Sequence, residues 1–180
     1  TAHTTQSIAV NAGAFAKLLV LAPGESLAPG TASGRSGTPT AQTAGVAFNV
    51  TVNAVDANWN FLNTPTDMVG ITSSDANAIL PSNAALVAGT QTFSVTLKTG
   101  GGRTVTATDI TDGLKTANSS SSITVNAAAF AKLQLLVPVE VASPGGVSGK
   151  TGSLNTQIKG TAFNVTVNAV DAFWNVVNSV

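Results

Sequence analysis

The chain repeats itself at an offset of 115 residues, without a gap, from one end to the other. Residues 1–65 align with residues 116–180 and share 36 identities, and the run at 47–57 returns unchanged at 162–172. A fixed period of domain size indicates tandem modules. We therefore predict that the chain is a window of about one and a half units on a longer array.

Alternating apolar and polar residues predict short strands along the chain. The predicted strands are 16–21, 48–54, 68–72, 78–80 and 121–126, together with a hairpin of 93–97 and 105–107 around the turn 99–102. No stretch of useful length shows the apolar period of a helix. About seven strands per period, separated by Gly, Pro, Asn and Asp, predict an all-β chain: an immunoglobulin-like antiparallel β-sandwich in tandem array.

The joint between the copies sets the predicted domain boundaries. Strand residues 123–125 run through three alanines into Phe130 with no glycine or proline between them, and such a short apolar joint favours stiff stacking. Residues 1–13 are predicted to be the last strand of a preceding repeat, 14–128 a complete repeat, and 129–180 the first half of the next. We call 14–128 the first unit and 129–180 the half-unit.

Half a sandwich cannot bury its own sheet, so something else must order the half-unit. One hypothesis is a long ordered polymer in which each piece is completed by the adjoining piece. The other is strand exchange, in which residues 1–13 of one chain complete residues 129–180 of another.

Composition narrows the classes of partner. Only 9% of residues are charged, and eight basic side chains balance eight acidic ones, so no electrostatic footprint for nucleic acid exists. No apolar run approaches the length of a membrane span, and there is no cysteine for a disulfide or thiolate site. We predict neither nucleic-acid binding nor direct membrane insertion, and expect adjacent repeats or laterally associated copies as partners.

The order and spacing of several motifs resemble the bacterial immunoglobulin-like repeats of invasin-type and other giant surface proteins. The resemblance covers essentially the whole first unit. It implies a secreted or cell-surface array, an adhesin stalk or extracellular fibre, with no enzymatic activity in the repeat. The motifs are TAGVAF (43–48), VDANWN (55–60), ITSSDA (71–76), LP (80–81), TFSVTLKT (92–99) and VTATD (105–109).

Two departures from that family's pattern suggest contact surfaces. The family usually has glycine where Trp59 and Trp174 stand, and its counterpart of the insert at 22–45 is much shorter. A large aromatic in a turn either folds onto its own domain or anchors an interface. Three interpretations of the insert are open. It packs along the array or against a neighbouring array, it is merely solvated, or it binds a ligand. Our interface candidates are Trp59, Trp174, Phe15, Phe130, Pro29 and Pro144.

Two repeated polar positions have a plain and a chemical interpretation. Asp56 and Asp171 end a strand and open a turn, which favours an Asx turn, with a calcium ligand as the weaker alternative. Lys17 and Lys132 are predicted to be solvated, with an isopeptide cross-link as the alternative. We find no catalytic constellation and expect no enzyme, no organic cofactor and no metal other than this weak calcium candidate.

The sequence therefore predicts a structural repeat of a large secreted or cell-surface protein. Its units would stack end to end into a stalk or filament, and its mechanism would be mechanical. The alternative is an adhesive module that recognises a glycan or a host ligand through the insert and the turn that carries the tryptophan.

Overall fold

The computed structural model describes residues 6–178, and these residues form strands and turns with no helix among them. The all-β prediction is thus confirmed. The strands are β1 (Lys17–Leu21), β2 (Glu25–Leu27), β3 (Arg35–Gly37), β4 (Gln42–Thr43), β5 (Ala47–Val55), β6 (Met68–Ser73), β7 (Ala84–Ala85), β8 (Thr90–Thr96), β9 (Gly101–Arg103), β10 (Val105–Asp109), β11 (Asn118–Ser119), β12 (Ile123–Asn126), β13 (Lys132–Leu136), β14 (Val141–Ala142), β15 (Lys150–Thr151) and β16 (Thr166–Val170).

One layer of the first unit is the antiparallel sheet β1-β5-β8. The long strand β5 lies at its centre, where Val52 is opposite Val20 on one side and Gln91 on the other. Phe48, Val50 and Val52 alternate with polar residues along β5 and are buried. The period of two thus puts one apolar face of this sheet into the core.

The opposing layer combines the sheets β11-β10-β6-β7 and β4-β12-β9. All but one of their strand pairs are antiparallel. The exception is β12 with β4, which are parallel, with Val125 beside Gln42 and Asn126 beside Thr43. Apolar side chains from both layers form one buried cluster, which makes the first unit sandwich-like. Its largest members are Leu18, Phe48, Ile71, Leu86, Phe93, Leu97 and Ile123.

Two predicted strand assignments are wrong. The hairpin of 93–97 with 105–107 does not form, because β8 pairs with β5 whereas β10 pairs with β6 and β11. The glycine-rich turn instead carries the chain from one layer to the other. The predicted strand at 78–80 is only an isolated bridge between Ile79 and Thr96, and the short edge strand lies at β7.

The insert at 22–45 folds back on its own unit. Its strands β2 and β3 form a hairpin, and Leu27 and Trp59 cover the outer face of β1 at Leu19 and Leu21. The side chains of Glu25 in β2 and Arg35 in β3 are largely buried beneath this hairpin. Arg35 Nη2 donates a hydrogen bond to the side-chain oxygen of Asn118. The first unit therefore has a third, thin layer outside the β1 sheet.

The half-unit reproduces one side of this arrangement. Strands β13 and β16 pair in the register of β1 with β5, and β14 with β15 repeats the outer hairpin. The inner face has no opposing sheet among residues 129–178. Leu133 is 65% exposed where its counterpart Leu18 is fully buried, and Val165 is 49% exposed where Val50 is fully buried.

Candidate inter-unit joint

The turn after β5 is built around the carboxylate of Asp56. Its Oδ1 accepts the N–H groups of Asn58 and Asn60 at 2.8 and 2.9 Å. Its Oδ2 accepts the Asn60 side-chain amide at 2.9 Å and the N–H of Gly13 at 2.8 Å. These bonds, that of the Asn60 side chain above all, hold the pKa of Asp56 well below its ordinary value. The Asx turn predicted here is present.

The turn after β16 has the same construction around Asp171. Its Oδ1 accepts the N–H groups of Phe173 and Asn175, and its Oδ2 accepts the Asn175 side-chain amide, at 2.8 to 2.9 Å. Its Oδ2 also accepts the N–H of Ala128 at 2.9 Å. Ala128 is the last residue of the first unit and lies between β12 and β13. The carboxylate thus fixes the direction in which the chain enters the half-unit.

Asn175 also binds the first unit directly. Its side-chain nitrogen donates to the carbonyl of Lys98 at 2.9 Å, and its side-chain oxygen accepts the N–H of Gly100 at 2.7 Å. Asn175 is buried, so these bonds are shielded from water. A single amide thereby joins both ends of the 98–100 loop to the turn of the half-unit. We define the joint as the 126–131 linker, the 171–175 turn, the 98–100 loop and Gly45.

An aromatic ring supplies the apolar part of the joint. Phe173 packs against the end of the first unit's core, and its ring lies so close to Gly45 that a Cβ there would overlap it. Gly45 also has a φ of 79°, which a side chain rarely adopts. The Lys98 ammonium lies 6.0 Å from the ring centroid. Glycine at position 45 therefore leaves the space that Phe173 fills.

The outer hairpin of the half-unit adds a third contact. Gly145 lies against Thr99 and Asn77 of the first unit, and no Cβ could fit there. The N–H of Gly145 donates to the carbonyl of Phe173 at 2.7 Å, which ties the hairpin to the turn. The joint thus combines a bridging amide, an inserted ring and a close backbone approach.

Asp75 holds the 98–100 loop in place from inside the first unit. It is buried and accepts the N–H groups of Lys98 at 2.7 Å and Thr99 at 2.9 Å, together with the Thr99 hydroxyl at 2.6 Å. Partial burial opposes its ionisation, but the hydrogen bonds outweigh this and lower the pKa of Asp75. The surface that receives Asn175 is therefore preorganised by a charged group.

Both tryptophans pack on their own copies of the repeat. Trp59 lies between Gly34 and Lys17, whose Nζ is 3.4 Å from the ring centroid, and Trp174 repeats this with Gly149 and Lys132. Both lysines also donate to a backbone carbonyl of the adjacent turn. Of the two alternatives for the tryptophans, the structure shows the contact within the same copy.

The backbone at both tryptophans is in a conformation that favours glycine. Trp59 and Trp174 have φ of 69° and 68°, in the left-handed region where a side chain costs about 1–2 kcal/mol. Here the ring packs over the outer hairpin and under a lysine, which offsets that cost.

The other interface candidates are dispersed. Phe15 is half-buried against the first unit's core with Lys115 over its ring, and Phe130 is exposed within the 126–131 linker. Pro29 and Pro144 lie in the two outer hairpins, exposed and half-buried respectively. None of the four takes part in the cross-unit contacts of Phe173 and Asn175.

Sequence reasoning missed Phe173, Asn175 and Gly145 as joint residues. The signal was Phe173, which stands where the first copy has Asn58 inside an otherwise repeated turn. When one copy of a repeated polar turn carries an apolar ring, the ring indicates that this copy packs against a neighbouring surface.

The oxygens of Asp56 and Asp171 face N–H donors, as described above, which is the environment of a turn cap. Residues 6–178 contain no group of three or more His, Cys, Asp or Glu side chains placed to hold a metal ion. Within the same residues there is no helix of the length and apolar character needed to cross a membrane.

A scan against protein-family models finds no matching family, and a search of curated proteins finds no similar sequence.

Proposed function

We propose that this chain is a structural repeat of a large secreted or cell-surface protein, in which immunoglobulin-like units stack end to end into a stalk or extracellular filament. The joint carries the proposal. Asn175 and Phe173 connect the half-unit to the first unit through side chains, so the two copies meet at a specific surface rather than through a free linker.

The strand order supports the immunoglobulin-like part of the proposal. Antiparallel β1-β5-β8 faces a layer in which β12 pairs with β9 on one side and with β4, in parallel, on the other. β1 and β4 together take the place of a first strand that is divided between the two layers. Such a division is compatible with that sandwich. The 115-residue sequence period supports the array.

The composition supports an extracellular place. A sequence with few charges and many Thr, Ser and Asn residues is compatible with a repeat that contacts its own kind along an extracellular fibre. Function in this proposal is mechanical: sheet hydrogen bonds resist extension, and the joint transmits direction from one unit to the next.

The repeat also supplies a matched comparison for the joint. Asn60 caps its own turn as Asn175 does, but in residues 6–178 it makes no bond to another unit. Asn175→Ala combined with Phe173→Asn removes the cross-unit contacts of these two side chains, whereas Asn60→Ala removes only a contact within one turn.

Residual dipolar couplings of the isotope-labelled chain test the proposal. We expect the first unit and the half-unit to share one alignment tensor in the wild type and in Asn60→Ala, and to need two tensors in the double variant. Independent tumbling of the two segments in the wild type would refute a stiff joint. So would an unchanged common tensor in the double variant.

A further inference from the structure

A buried ion pair lies beneath the outer hairpin of the first unit. The side chain of Glu25 is 0% exposed and that of Arg35 is 9% exposed, with 3.9 Å between Oε2 and Nη1. Taking two charges out of water is costly, and apolar residues of similar size often give an equally stable fold. Equilibrium stability alone therefore does not explain why a pair of charges is buried here.

The pair ties the hairpin to strand residues at the end of the first unit. Glu25 accepts a hydrogen bond from the hydroxyl of Ser121. Arg35 Nη2 donates to the side-chain oxygen of Asn118, and also to the carbonyl of Ser119 at 3.0 Å. We call the ion pair and these three hydrogen bonds the lock. We call residues 116–126, which contain β11 and β12, the closing segment.

The closing segment runs parallel to both β1 and β4. At its start, Thr116 forms a parallel bridge with Lys17, and at its end β12 pairs with β4. The lock lies between these two contacts, on the hairpin that connects β1 to β4. Glu25 also accepts the N–H of Ala22, directly after β1, at 2.9 Å. The lock thus holds the end of β1 as well as the hairpin.

Tension along the chain would load these contacts in shear. The chain enters β1 at Lys17 and leaves the closing segment at Asn126, so tension pulls two parallel strands from opposite ends. Bonds between such strands are strained together, whereas strands pulled from neighbouring ends open one bond at a time. Two backbone hydrogen bonds, both made by Thr116, join the start of β1 to the closing segment. The lock adds three bonds across the same boundary.

We propose that the lock carries tension: when the array is stretched, it keeps β1 and the outer hairpin from sliding along the closing segment. This inference rests on the proposed function, because a unit is under tension only in a stalk or filament. Forced unfolding is governed by the unfolding rate and not by the equilibrium stability. Contacts that must break before β1 can move slow that rate even where their desolvation cost cancels their stabilisation.

The half-unit supplies a conservative variant of the lock. Lys150 stands at the position of Arg35 and pairs with Glu140 at 2.8 Å, so the hairpin forms with a lysine at this place. Arg35→Lys keeps the charge but loses the planar fork, which points one nitrogen at Glu25 and the other at the closing segment. Glu25→Gln combined with Arg35→Met removes both charges, and we call it the double lock variant.

Single-molecule pulling tests the lock, with DNA handles on cysteines introduced into a chain that has none. Handles at Ala14→Cys and Ala129→Cys load β1 against the closing segment, which is the shear axis. Handles at Ala14→Cys and Ala57→Cys load β1 and β5 from the same end, since Lys17 is opposite Val55, and this is the peeling axis. All three handle sites are exposed.

Along the shear axis, the lifetime of the folded first unit at constant force should fall more than about tenfold in the double lock variant, because hydrogen bonds to charged groups are lost from the unfolding barrier. Arg35→Lys should shorten it less. Along the peeling axis both variants should match the wild type, because β1 separates from β5 before the lock is loaded. Glu140→Gln with Lys150→Met is the matched control, since it changes the same positions outside the loaded span, and it should match the wild type on both axes.

Two results would overturn the lock. One is an unchanged lifetime of the double lock variant along the shear axis. The other is equal shortening along both axes, which would make the ion pair a contact that stabilises the fold in every direction. The handles span the first unit alone, so the measurement does not depend on the joint. A common alignment tensor with an unchanged lifetime would refute the lock alone. Two tensors in the wild type, with shortening confined to the shear axis, would refute the joint alone.

Discussion

The two copies of the repeated strand pair share an outer face and differ in their inner face. Outside, the short hairpin and the tryptophan cover β1 in the first unit and β13 in the half-unit, and Leu21 and Leu136 are buried alike. Inside, Leu18 is buried under the opposing layer, whereas Leu133 is exposed. One sequence pattern therefore has two environments within one chain.

The difference separates the structure that the first half of a repeat forms alone from the structure for which it needs the second half. The outer layer is made from nearby sequence, since the hairpin and the turn lie within 40 residues of β1. Apart from β4, the opposing layer that covers the inner face comes from residues 68–126, far along the chain. Local contacts form at a small entropic cost, while the inner sheet requires closure of long loops.

Charge placed on the inner face should produce the largest contrast between the copies. Val50→Asp buries a carboxylate in the first unit's core and should lower the free energy of unfolding by about 4 kcal/mol or more. Val165→Asp, at the same position of the half-unit, should change it by less than about 0.5 kcal/mol. Urea denaturation followed by far-UV circular dichroism measures both. Equal losses would mean that the inner face of the half-unit is covered.

Period-two alternation was sufficient to predict the strands that face the core, including β1, β5, β6 and β12, because burial of one face imposes that pattern. The alternation could not show which strands pair with one another. Residues 93–97 and 105–107 alternate equally well in a hairpin or in two opposed layers, and only the packing of both layers selects the second.

The joint was harder to predict than the strands, because its contacts link residues far apart in sequence. Asn175 caps its turn as Asn60 does, and the cross-unit bonds to Lys98 and Gly100 depend on the loop that Asp75 holds. The outer hairpin was missed because its strands are three residues long and contain glycine, arginine and serine. Its stability comes from the tryptophan and not from strand propensity.

Exchanging residues 58 and 173 between the two turns should have the next largest effect on the free energy of unfolding. Phe173→Asn gives the half-unit the residue that the first unit has at position 58, and uncovers the end of the core at Gly45. We expect the first unit to lose about 1–2 kcal/mol of unfolding free energy, the value of a partly buried ring. Asn58→Phe should leave stability nearly unchanged. Thermal denaturation measures both, and equal effects would argue against a specific joint.

Acid should loosen the 98–100 loop, which is the part of the joint that binds Asn175. Hydrogen bonds lower the pKa of Asp75 in the folded state, so its contribution to stability is complete above the unfolded value near 3.9 and is lost as pH falls through the folded value. Amide exchange at Lys98 and Thr99, corrected for intrinsic rates, should accelerate below about pH 4. In Asp75→Asn, exchange should be faster at neutral pH and largely independent of pH. Acid acceleration that persists in Asp75→Asn would assign the effect to another carboxyl group.

The lysine stacked over each tryptophan should give the smallest effect, and the same effect in both copies. Lys17 and Lys132 lie 3.4 Å from the centroids of their rings, and this contact belongs to the outer face, which is covered in both environments. Lys17→Met and Lys132→Met keep most of the apolar stem and remove the charge, so each should cost about 0.5–1 kcal/mol. Tryptophan emission during denaturation, recorded with the other tryptophan replaced by phenylalanine, separates the two sites. A clearly larger loss at Lys17 would show that the outer layer also depends on the opposing sheet, because among residues 6–178 the first unit alone has that sheet. Equal losses would make the outer hairpin and its tryptophan an independent module, which each unit can form before its inner face is covered.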